Sequence, residues 1–360
     1  MLNGIKSAFC LRIIFNLLKE SKFLKIVNYN KNFQKKLNLS KESYKKFFNQ
    51  IEIELIPKYN YNKNIEFINR KGKKNKINLY HFYFNDEQEE IKKTNYIKSK
   101  SEVSKIKIII EEEIFNFKGL FKNCKYLTEI KFIKFNRNDI TDMSEMFYDC
   151  CSLINLDIIK LKTDNVTNMN NMFMNCEKLE ELDLSNFNTE NVLNMNYMFS
   201  GCRKLEKLNL SNFNTQKVYT MEEMFSRCYS LKELDLSNFN TGNVISMNYM
   251  FYKCSKLNSL NVSNFNTQKV KNMYQMFSRC ASLQELNISS FRADNIESME
   301  YMFSKCYSLI NLNIGNFNFE NKNNKFMFSG CKVELKQNIY EQNKNIDPTV
   351  FDWDYSDNIE

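Results

Sequence analysis

The stretch LDLSNFNTENVLNMNYMFSGC, Leu182–Cys202, returns almost unchanged as LNLSNFNTQKVYTMEEMFSRC, Leu208–Cys228, and again as LDLSNFNTGNVISMNYMFYKC, Leu234–Cys254. Cysteines fall at 124, 150, 176, 202, 228, 254, 280 and 306, each 26 residues after the last, and once more at 331. Counted from each Cys as zero, an apolar residue recurs at +3, +6, +8, +11, +16, +19, +22 and +23; in one unit these are Leu179, Leu182, Leu184, Phe187, Val192, Met195, Met198 and Phe199. A unit of this length cannot bury its own apolar side, so a fixed period of this size predicts a solenoid whose neighbours bury each other.

The period changes inside a unit. Leu at +6 and +8 alternates, as in a short strand with one face buried. From +16 the apolar spacing becomes three or four, which predicts a short helix with Thr189 or Asn191 supplying its N-cap oxygen. The expected fold class is α/β: a right-handed solenoid with a parallel sheet on one face and short helices on the other, preceded by a helical and α+β N-terminal region. Four segments are expected. Residues 1–50 are helical, 51–123 a β-rich linker and N-terminal cap, 124–331 the solenoid of about eight units, and 332–360 a C-terminal cap with an acidic tail. Trp353 is expected to pack on the last coil.

The motif LSNFNTxxVxxMxxMFxxC resembles the BspA-like leucine-rich repeats, over residues 124–331. That resemblance implies recognition or adhesion and no reaction. The general leucine-rich repeat carries Asn or Cys where this chain has Phe187, Phe213 and Phe239, so a Phe spine is expected in place of the usual buried Asn ladder. Residues 5–55 have apolar side chains at helical steps, and IVNYNKNFQKKL (Ile26–Leu37) is similar to the end of an F-box, although the early Leu-Pro is absent. The F-box resemblance implies a substrate receptor of a cullin-type ubiquitin ligase, with Ile13, Leu17 and Leu18 docking the adaptor. A helical cap on the solenoid is the alternative.

Charge is uneven. Residues 1–100 hold 22 Lys and Arg against 9 Asp and Glu, whereas 101–360 hold 29 against 33, so a basic head precedes a slightly acidic body. No apolar run reaches the 18 residues of a membrane span, and the N-terminal MLNGIKSAFCLRIIFNLLKE lacks the form of an export signal. The expected compartment is the cytoplasm, with the cell surface as the alternative. Three readings compete for the cysteines: a metal site, a disulfide ladder, or a buried row of small apolar side chains. With one histidine and only Cys150–Cys151 close in sequence, no metal and no cofactor are expected, and equivalent cysteines on neighbouring helices would sit about 8–10 Å apart. The Met pairs are core by the same spacing. No Gly-rich phosphate loop, G-x-S-x-G or paired metal motif appears, so the chain is not expected to be an enzyme.

A strand that points +6 and +8 inward turns +5 and +7 outward. Those positions hold Asp157, Glu181, Asp183, Asn209, Glu233, Asp235, Asn261, Glu285, Asn287 and Asn313, with Lys207 among them. This strip is expected to bind a protein partner through a basic or polar segment, and it would repel nucleic acid phosphates. Asn209, Asn261 and Asn287 each open an N-x-S sequon on the same strip, which a glycosylating compartment could occupy. Upstream, IEIELI, NIEFINR, KINLYHFYF and KIKIIIEEEI read as strands covering the first coil, with Arg70–Lys76 as a charged tip.

Overall fold

The structure is a computed structural model that describes residues 31, 35, 49–58, 63–69, 79–87, 89–91, 94–99, 101–111, 113–314, 317, 319 and 322–351. The chain divides into two compact units, Met1–Gln50 and Ile51–Glu360. In the first unit, Lys31, Lys35 and Asn49 are helical. The adaptor-docking residues Ile13, Leu17 and Leu18, the charged tip at 70–76 and Trp353 all lie outside the described residues.

The second unit opens with antiparallel strands. Strand β1 (Ile51–Pro57) alternates Ile51, Ile53 and Leu55 inward with Glu52 and Glu54 outward. Short β2 (Ile65–Glu66) pairs with β4 (Tyr96–Ile97). Strand β3 (Tyr80–Phe84) pairs with β5 (Ile106–Ile110), and β5 with β1. On the outer face Lys107 and Lys105 pair with Glu52 and Glu54 at 3.1 and 3.2 Å. Strand β1 then lies antiparallel on β6 (Leu127–Lys134), the strand of the first coil, and β6 runs parallel to β7 (Asn155–Asp157) in the next. The antiparallel sheet therefore occupies the edge that the parallel series would otherwise leave open, which is how exposed strand edges are kept from pairing elsewhere.

From there each unit adds a strand of two or three residues: β8 (Glu181–Leu182), β9 (Lys207–Leu208), β10 (Glu233–Asp235), β11 (Ser259–Asn261), β12 (Glu285–Leu286) and β13 (Asn311–Leu312). Parallel pairing is in register, Glu181 opposite Lys207, Glu233 opposite Ser259 and Glu285 opposite Asn311. A second line of parallel bridges joins the +18 residues from Asp142 through Asn168, Asn194, Thr220, Ser246, Asn272 and Ser298, and ends on Asn323, at +17 in the shorter last unit. The predicted apolar rows are the core: Leu205, Val218, Met221, Met224, Phe225 and Cys228 are fully buried, as are their counterparts in neighbouring coils. Each such side chain contributes about 1.5–3 kcal/mol relative to exposure.

The segment expected to be helical is not a helix. It is a run of turns, in which the Met172, Met174 and Cys176 N–H groups donate back to Met169, Asn171 and Phe173 at 3.1–3.2 Å. The intervening N–H groups of Asn171, Phe173 and Asn175 leave the unit and donate to Asn196, Met198 and Ser200 of the next coil at 2.8–2.9 Å. Positive φ at Asn171 (56°) and Asn175 (60°) turns the chain so that this alternation is possible. Spacing explains the outcome. The Phe at +23 stacks coil to coil, with centroids 5.5 Å apart for Phe147–Phe173 and 5.6 Å for Phe173–Phe199 and Phe199–Phe225. Packed helices need about 8–10 Å, so the tight turns fit and helices do not.

The last coil is closed by helix α1 (Val333–Gln342), whose Leu335 and Ile339 are buried. The Gln342 side chain accepts from Ile314 N–H at 3.0 Å and donates to the Leu312 carbonyl at 2.9 Å, taking the place of a further strand. On the turn side Phe328 N–H donates to Val350 at 2.8 Å and Phe351 packs on Phe328.

Candidate functional site

Polar side chains do two jobs in this stack, and the structure separates them. The buried Thr at +13 is a cross-link. Thr189 Oγ1 donates to the Asn214 carbonyl at 2.9 Å and accepts Asn214 N–H at 2.8 Å; Thr163, Thr215, Thr241 and Thr267 repeat the pair. The Asn at +10 is another: Asn212 Nδ2 donates to the carbonyls of Leu184 and Phe187 of the preceding coil at 3.0 and 2.7 Å. The Phe spine is present as expected, with Phe213–Phe239 stacked at 6.5 Å, but an Asn ladder runs beside it rather than being lost. Thr189 and Asn191 do not cap a helix, since Asn191 Nδ2 donates to Asp164.

The described cysteines are free thiols, and in the row from Cys150 to Cys331 each Sγ donates to a Phe carbonyl of the preceding coil, Cys202 to Phe173 at 3.2 Å and Cys228 to Phe199 at 3.1 Å. Burial pushes the Cys202, Cys254 and Cys331 thiols up to about 12. Cys151, partly exposed, stands apart from this row.

On the strand face, Glu181, Asp183, Asn209, Glu233, Asp235, Asn261, Glu285, Asn287 and Asn313 are exposed and in one strip, over a floor of Leu182, Leu208, Leu234, Leu260, Leu286 and Leu312. Asp157 belongs less well: it is half-buried and paired with Lys131 at 3.4 Å. The +7 residues are fixed by their own backbone. Asp183, Asn209, Asp235, Asn261 and Asn287 Oδ1 each accept the N–H of the Ser two residues on, at 2.9–3.2 Å. These Asx turns end the strand. The turn bond uses only Oδ1, so the second Asp oxygen or the Asn NH2 group lies outside it. The Ser185 and Ser237 N–H groups hold the Asp183 and Asp235 carboxyls below the usual carboxylate range.

The strip sinks into two adjoining troughs that share Ser259. One, of about 470 Å³, is lined by β9, β10, Ser259 and Asn261. The other, of about 900 Å³, is lined by β11, β12 and β13 with Asn338 and Gln342 of α1 as its end wall. Sequence reasoning missed that wall and both cross-linking columns. The recurrence of Asn and Thr inside SNFNT was the available signal.

Such a stack, with fixed polar side chains along one face, defines a repeat protein that presents a surface rather than a closed pocket. The chain belongs to the family described as Mycoplasma protein of unknown function, DUF285, which matches it twice, over residues 115–234 and 227–342. No curated protein and no solved structure matches the chain. Among the described residues no helix is long and apolar enough to cross a membrane.

Proposed function

We propose that the chain is a non-catalytic recognition scaffold, built of BspA-like leucine-rich repeats wound as a right-handed solenoid, that binds a protein partner through the strand face in the cytoplasm. One observation carries this reading: nine polar side chains recur exposed at +5 and +7 of successive coils, five of those at +7 pre-set by Asx turns, over adjoining troughs. Side chains already held in place lose little entropy on binding, which favours recognition by a rigid surface. Their chemistry is carboxylate and carboxamide, suited to basic and polar groups of a polypeptide and unsuited to phosphates.

The test is affinity capture with the full chain beside an Asp183→Lys, Asp235→Lys variant. Both positions are exposed, so the variant keeps its fold, checked by circular dichroism. A partner held by the parent chain and lost from the variant supports the reading, and equal capture by both removes this face from it.

A further inference from the structure

The +5 and +7 residues do not carry one uniform charge. The coil of β8 presents Glu181 and Asp183, that of β9 presents Lys207 and Asn209, that of β10 presents Glu233 and Asp235, and that of β11 presents only Ser259 and Asn261. All eight are exposed on one face. Among the described residues Glu181, Lys207 and Glu233 make no ion pair, although ion pairs join neighbouring coils on the adjacent edge, Lys204 to Glu180 and Lys232 to Glu206, each at 3.0 Å. The strand face thus displays a negative, a positive and a negative step at successive coils, none of them held in an ion pair among the described residues.

Resting on the reading of this face as a protein-binding surface, we infer that its partner is an α-helix laid along the stack, carrying a basic, an acidic and a basic side chain on successive turns. The repeat distances select this shape. Coils succeed each other at about 4.8 Å along a sheet, and the stacked rings of Phe199, Phe225 and Phe251 are 5.6 Å apart. An α-helix advances about 5.4 Å per turn, so residues near i, i+4 and i+7 face three consecutive coils. An extended segment cannot do so. Its same-side residues recur only at about 6.6–6.8 Å, and the residue between them faces away. Beyond β10 the trough lining is mostly carboxamide, among them Asn287, Asn338 and Gln342, with Glu285 its one carboxylate, so the rest of the helix meets mainly neutral donors and acceptors up to the wall of α1.

The probe is a pair of fluorescent helical peptides, one with Lys, Glu and Lys at i, i+4 and i+7, the other with Glu, Lys and Glu there and a compensating Glu-to-Lys exchange on its far face that keeps the composition identical, titrated against the full chain by anisotropy. The first binds about tenfold more tightly, the sum of three exposed charge pairs. The Glu181→Lys, Lys207→Glu, Glu233→Lys variant inverts the preference. Equal affinities, binding by neither peptide, or a proline-broken version of the first peptide binding as tightly as the helix each overturn the inference. None of these outcomes bears on the capture experiment with the Asp183→Lys, Asp235→Lys variant, which judges the recognition reading separately.

Discussion

A buried thiol in this stack is both core and hydrogen-bond donor. Its Sγ–H answers a Phe carbonyl of the coil before, so the same atom fills space and ties coils together. The cysteine row could be placed in the core from its spacing alone, but its partner could not, because the carbonyl it meets lies 29 residues upstream. The charge state has a consequence for stability. Burial raises the thiols of Cys150, Cys176, Cys202, Cys228, Cys254, Cys280, Cys306 and Cys331 above their usual value. A raised folded-state value means that the stabilisation is whole below the unfolded thiol value of about 8.5. It is lost as pH climbs from there towards the folded values near 12. Each thiol costs roughly 1.4 kcal/mol per pH unit in that window. Urea midpoints measured from pH 7 to 11 under reducing conditions should fall steeply above pH 8.5, and less steeply in a Cys228→Ala, Cys254→Ala variant. Identical slopes for the two chains would contradict the buried ladder.

Elements were legible in the sequence where one period has one physical meaning. The L-x-L strands and the antiparallel strands before them are found where alternation puts them, as β1, β5 and β8 to β13 show. The turn run was misread for a definable reason. Its i to i+3 bonds bury every third or fourth side chain, as a helix does, so Val192, Met195, Met198 and Phe199 give the same pattern either way. The positive φ that would have separated the two is carried by Tyr197, Glu223, Arg227 and Lys253 as well as Gly201, so no glycine signature marks it. Such residues tolerate that conformation here because the next coil accepts their N–H groups. The terminal element makes the same point. That residues after 331 leave the pattern was visible, but not that Gln342 would substitute for a strand. Gln342→Leu leaves Ile314 N–H and the Leu312 carbonyl without that partner, a loss of about 1–3 kcal/mol. Hydrogen exchange should quicken in β12 and β13 and stay as it was in β8 to β10. Uniform quickening along the stack would show that α1 does more than close one end.

At the scale of the whole molecule, the units form contacts mainly with their immediate neighbours, through in-register bridges at +18, the Thr cross-links at +13 and the Phe column at +23. Stability in such an array is close to a sum of unit and nearest-neighbour terms. The candidate face inherits this regularity: its residues were nameable from the sequence because each occupies the same two positions of a unit. The troughs were not, because α1 and the depth of the Leu floor are set by packing across coils. The most direct measurement of in-register stacking is to remove residues 203–228, one complete period from Cys202 to Cys228, and compare that chain with one lacking only residues 203–215. Stacked 26-residue coils predict that the first retains the parent circular dichroism and a cooperative thermal transition, because Gly201 and Cys202 then lead into Tyr229 as they led into Arg203, and that the second unfolds. Equal folding of both chains, or collapse of the first, would contradict the stack.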